Sequence, residues 1–218
     1  NLAVQPHAAR QTAFRAYGMH ALSGTMTESS VSAVSTATKY LDRYVVPLSI
    51  CILIAFPLVW IWKHEFLPLQ DFPINLAHSH IVSRYHATPF FKQHCTLTFL
   101  PYPYLMQDAV MCSTMFFGYR AAGKIMLSVL LCVFLFGHAY FLRIVNREHN
   151  YVTLFAVPLF WNKFFFKGGY NYLFGLSFAL ICIAMLYKIW SNRDRRRDSF
   201  LFPLACVLLY CSHPVALA

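Results

Sequence analysis

Lys63-His64-Glu65-Phe66-Leu67-Pro68-Leu69-Gln70-Asp71-Phe72-Pro73 opens a stretch that runs on through His78, His80, Arg84 and His86 to Gly123. It is too polar and too broken by proline to cross lipid. Apolar runs of membrane-spanning length lie on both sides of it. A chain that alternates in this way reads as all-α: a polytopic bundle of transmembrane helices. Residues 63–124 then form a long non-cytoplasmic first loop that carries short interfacial helices.

Working outward, residues 45–62 are 18 positions without a charge. About 20 apolar residues at a rise of about 1.5 Å cover a hydrocarbon core of about 30 Å. Arg43 marks the inner end, and Trp60 and Trp62 the outer end, where indole rings favour the interface. Downstream, spans are expected near 125–142, 170–187 and 199–218. Residues 151–166 are apolar but short, and Pro158 and Lys163 interrupt them, so they read as a tilted or broken span. Residues 101–119 are placed as an interfacial or re-entrant helix. Making 104–119 a full span would flip every later element and put the Arg193–Arg197 cluster outside.

The composition fits this reading. Of the 218 residues 58% are hydrophobic and 12% charged, against about 25% charged in a soluble domain. The net charge of +10 does not point to nucleic acid, because the basic residues sit beside apolar runs. Residues 1–44, 143–149 and 188–198 collect them, which places the N-terminus in the cytoplasm by the positive-inside rule. Residues 1–44 lack the layout of a secretory signal and read as a cytoplasmic segment; residues 45–218 are the membrane domain. The chain starts at Asn1 and stops at Ala218 inside an apolar run, as a piece of a longer protein would. The cysteines form no CxxC pair. Cys95 and Cys112 share the outer loop and would pair in an oxidising compartment.

Eight carboxylates limit the acid–base chemistry. Glu28 and Asp42 precede the first span, and Glu148, Asp194 and Asp198 lie among inner arginines as solvated ion pairs. Glu65, Asp71 and Asp108 remain on the outer side. Asp71 stands between Pro68 and Pro73, close to the membrane, and is read either as a catalytic base or as a turn or N-cap carboxylate. Asp108 is a second catalytic carboxylate or a partner for Arg120. His78, His80 and His86 do not reach one centre on a helix or a strand, so no metal site is assigned. They suit hydrogen bonding to an anionic or sugar ligand, or packing. Arg84, Lys163 and Lys167 can hold a phosphate or reach out to water. His213 stands at the outer end of the last span, where an ionisable group is a functional hypothesis. His138 reads as a helix–helix contact.

With Gln70-Asp71-Phe72-Pro73, the stretch from His78 to Arg84, Ala122-Gly123-Lys124, Gly168-Gly169-Tyr170-Asn171-Tyr172 and Ser212-His213-Pro214, the chain resembles the polytopic glycosyltransferases of the GT-C superfamily, especially bacterial members. The likeness covers residues 44–218, the front half of such an enzyme. It implies a bacterial inner-membrane protein that takes sugar from a polyprenyl-phosphate donor among the membrane lipids, with Asp71 at the position of the catalytic aspartate. Some members use a divalent metal. No Asp-Asp or Glu-Asp pair follows the first span here, a departure that weighs against a metal-dependent mechanism. The alternatives are a transporter or flippase for a lipid-linked or anionic substrate, although no internal repeat is visible, and a non-catalytic membrane subunit.

Overall fold

The computed structural model describes residues 44–65, 67–97, 103–145, 150–191 and 195–213. The expected cytoplasmic segment, the loop at 146–149, the side chains of the Arg193–Arg197 cluster and Pro214 lie outside the described residues. Residues from Val46 onward form one compact unit. No strand occurs among the described residues. Their α-helices are α1 (Val46–Lys63), α2 (Phe72–Arg84), α3 (Pro89–His94), α4 (Leu105–Thr114), α5 (Tyr119–Val145), α6 (Ala156–Phe160), α7 (Lys163–Lys167), α8 (Tyr170–Trp190) and α9 (Arg195–Ser212).

Two of them, α5 and α8, are long and apolar enough to cross a membrane. At 27 and 21 residues they measure about 40 and 31 Å. Shorter apolar stretches cover Cys51–Lys63 and Asp198–Ser212. On α1, Leu48, Ile52, Phe56, Val59 and Trp62 are exposed, and their spacing puts them on one face. Phe200, Leu204 and Val207 make a similar exposed stripe on α9. Water-facing surfaces rarely carry contiguous apolar patches of this kind, whereas lipid tails suit them.

Helix α8 packs most extensively against α5 and α9. The α5–α8 crossing is set by Gly137, where a Cβ would lie 2.8 Å from the Ser177 carbonyl oxygen. Small residues permit this close backbone approach between apolar helices. Gly137→Val is expected to lower stability by about 1–3 kcal/mol, the usual cost of overpacking, measured as the unfolding midpoint of the detergent-solubilised protein. An unchanged midpoint would show that the two helices separate freely. Around the crossing Leu127, Leu130, Phe134, Phe160, Leu173 and Phe174 are fully or almost fully buried.

Several expectations are corrected. Helix α5 begins at Tyr119 rather than near 125, because Lys124 does not end it: its Nζ donates to the Trp62 carbonyl at 3.1 Å. Residues 151–166, read as a tilted or broken span, are broken rather than one continuous helix. A 3-10 turn (Asn150–Phe155), α6 and α7 follow one another. Pro158 falls in the first turn of α6, where its missing N–H costs least. Asn162 then caps α7, its Oδ1 accepting from the backbone N–H of Phe164 and Phe165 at 2.8 and 3.1 Å. This broken leg runs beside α5 and α1, with ring centroids of Phe160 and Phe134 5.4 Å apart and those of Trp161 and Trp60 5.3 Å apart.

Asp198 is not solvated. Its side chain is 4% exposed and pairs with Lys188 at 2.6 Å, joining α8 to α9. His138 makes its bond within α5, Nδ1 to the Phe134 carbonyl at 2.8 Å, rather than across helices. Cys95 and Cys112 are free thiols. Helix α4, ten residues long, spans only about 15 Å and is too short to cross lipid.

Candidate functional site

The ends of the long helices converge. Trp62 at the end of α1 donates its indole N–H to Ser128 of α5 at 3.1 Å. The Gln70 N–H donates to the Phe166 carbonyl at 2.9 Å, and the Gln107 N–H to Oδ1 of Asn171 at 2.9 Å. The His213 ring lies edge-on to Tyr104 and Tyr172, 4.7 and 5.4 Å between centroids. Segments from the first loop, from α7 and the start of α8, and from the end of α9 therefore meet at one end of the unit.

Helix α2 organises this end. Pro73 at the second position fits the first turn, where no N–H is needed, and Asp71 precedes the helix. Asp71 takes the N-cap position, yet its side chain makes no capping hydrogen bond. The local role that a turn carboxylate usually serves is thus unfilled, and the carboxylate is left for other work. Asn75 and His78 follow at four- and seven-residue spacing, so they share the face that begins at Asp71.

Asp71 is wedged against the turn between α7 and α8. Gly168 there has φ +95°, and a Cβ on it would sit 2.7 Å from the Asp71 Cβ. Glycine is needed twice: for the left-handed backbone and for the space. Gly168→Ala is expected to cost about 1–3 kcal/mol, read as a lowered unfolding midpoint. Gly168→Asn tolerates the backbone conformation but not the contact, so a full rescue by Asn would show that the wedge is unimportant.

Farther along α2, the Ser79 hydroxyl donates to Oδ1 of Asp108 at 2.7 Å, and Nδ1 of His78 lies 3.3 Å from the same oxygen. The His78 side chain is 55% exposed, with Nε2 unpartnered among the described residues. A carboxylate that fixes one imidazole nitrogen presents the other to a ligand. Nearby, the Cys112 thiol is pushed up to about 11 by burial and by the Asp108 charge, so it stays protonated and unreactive at neutral pH.

The expected residues are not all together. Asp71, His78 and Asp108 line the polar side of α2, and Lys163 and Lys167 are exposed at the two ends of α7. Lys167 immediately precedes Gly168. Arg84 stands at the opposite end of α2, about 20 Å from Asp71 along the axis, so it is not part of the surroundings of Asp71. His80 falls on the other side of the helix, with Phe72 and Leu76, and lines a separate groove of about 420 Å³ with Glu65, Arg120 and Lys124. Sequence reasoning took Arg120 only as a partner for Asp108, and Lys124 only as part of Ala122-Gly123-Lys124; the structure pairs Arg120 with Glu65 instead. The four-residue spacing of Arg120 and Lys124 at the start of an apolar helix was the available signal.

Among the described residues no three His, Cys, Asp or Glu side chains group as a metal site. The donor set around Asp71 does not fit a divalent ion. No family model, no curated protein and no solved structure matches the chain.

Proposed function

We propose that this chain is a multi-pass membrane glycosyltransferase with its N-terminus in the cytoplasm of a bacterial cell. It moves a sugar from a polyprenyl-phosphate donor to an acceptor hydroxyl at the membrane surface. The observation that carries this reading is Asp71, an uncapped carboxylate held against Gly168, one residue from Lys167.

The chemistry is an inverting displacement. The Asp71 carboxylate takes the proton of the acceptor hydroxyl as that oxygen bonds to the anomeric carbon. The bond from that carbon to the phosphate oxygen breaks, and the electron pair leaves with the polyprenyl phosphate. Lys163 and Lys167 offset the charge that develops on it. His78, held by Asp108, hydrogen-bonds sugar hydroxyls, and His213 with Tyr104 and Tyr172 forms the adjoining wall.

Reconstitution of the full chain in vesicles with radiolabelled polyprenyl-phosphate sugar tests this, with and without chelator. Label appearing in an acceptor supports transfer. Label that crosses the bilayer still attached to its lipid would identify a transporter instead, and no movement of either kind would leave a non-catalytic subunit.

A further inference from the structure

We propose that the groove on the reverse face of α2 is a second ligand site, which takes one acyl chain and the anionic headgroup of a bilayer phospholipid. It is separate from the Asp71 face. Phe72, Leu76 and His80 lie at four-residue spacing, roughly opposite Asp71, Asn75 and His78 on the helical wheel.

The groove is built for an amphiphile. Leu67, Phe72, Pro73, Leu76 and Ala77 form apolar walls, and Tyr119, Arg120 and Lys124 from the start of α5 stand at the polar side. Its volume of about 420 Å³ lies within the ordinary range for ligand sites, about 300–1,000 Å³. Phe72 closes the inner end, its ring lying where a Cβ on Gly123 would be, and edge-on to Tyr170 at 6.4 Å.

The charge selects an anion. Arg120 is paired with Glu65. Lys124 bonds the neutral Trp62 carbonyl rather than a carboxylate, so the formal charges of these three side chains sum to one positive. Nδ1 of His80 is buried without a hydrogen-bond partner among the described residues, a polar atom awaiting one. The depth selects a bilayer lipid over a soluble molecule. Trp62, half exposed at the end of α1, belongs at headgroup level, and basic pockets between membrane helices hold anionic headgroups there. The exposed stripe of α1 ends at Trp62, three residues before Glu65 on the groove wall.

The test uses the full chain in detergent, with phosphatidylglycerol or phosphatidylcholine added and retained lipid counted by native mass spectrometry. Phosphatidylglycerol is expected to be retained about fivefold more strongly, the effect of one basic residue at a lipid surface. Lys124→Gln should bring it down to the phosphatidylcholine level. Ala77→Trp, an exposed position that fills the groove, should remove it without changing the circular dichroism spectrum. Asp71→Asn should leave retention unchanged, which separates this site from the proposed transfer reaction. Equal retention of the two lipids, or retention that survives both groove variants, would overturn the proposal. So would displacement of phosphatidylglycerol by an equal concentration of inorganic phosphate, because the chain would then contribute nothing.

Discussion

On the proposed reaction, replacing Asp71 by Asn is expected to lower sugar transfer by about 10²–10⁴-fold, the usual worth of a positioned general base, and to leave the unfolding midpoint where it was. The second half of that expectation follows from geometry. The Asp71 side chain caps nothing, so Asn removes no helix-stabilising bond. The two side chains match in size, so the fit against Gly168 is kept. Transfer rate and unfolding midpoint measured on one preparation separate chemistry from folding. A variant that retains more than half of the transfer activity removes Asp71 from the mechanism. A variant that loses both would assign it a structural role.

Asp198→Leu is expected to cost about 3–5 kcal/mol, because it removes the buried carboxylate that faces the Lys188 charge. The pair is 2.6 Å apart, with Asp198 4% and Lys188 19% exposed. Lys188 also sits 6.0 Å from the centre of the Tyr140 ring, so its charge bears on α5 as well as α9. The double variant Lys188→Met with Asp198→Leu should recover most of the loss, since apolar residues of similar volume replace a buried pair at little net cost. Denaturant unfolding of the three proteins gives the coupling directly. A loss below about 1 kcal/mol in the single variant would place the pair in the solvent-exposed class.

The long apolar helices were legible because uninterrupted runs leave few alternatives: α8 covers residues 170–187, and α5 contains residues 125–142 but starts earlier, at Tyr119. Asp71, Asp108, His78 and His213 were picked out as polar residues on one side of a single topology; in the structure Asp108 meets His78, and His213 packs against Tyr104 and Tyr172. What the chain did not disclose was which of them meet. The direction of each side chain around α2 separates His80 from His78, although only Ser79 lies between them. Residues 151–166 were legible only as tilted or broken, and the structure gives the broken form. Their apolar content is that of a span, but Asn162 offers its side chain to the next backbone N–H groups, and that local competition outweighs composition. The burial of Asp198 was hidden because a charge among arginines reads as solvated until the fold supplies Lys188.

The two-sided use of α2 has a thermodynamic consequence. Its 13 residues form one helix, so a guest in the proposed groove that moved the helix from the Phe72 side would carry Asp71 with it. Linkage makes that influence mutual: whatever factor occupancy on one side imposes on affinity across the helix, the reverse effect equals it. On the two proposals together, the composition of the surrounding bilayer would become a variable of the proposed reaction.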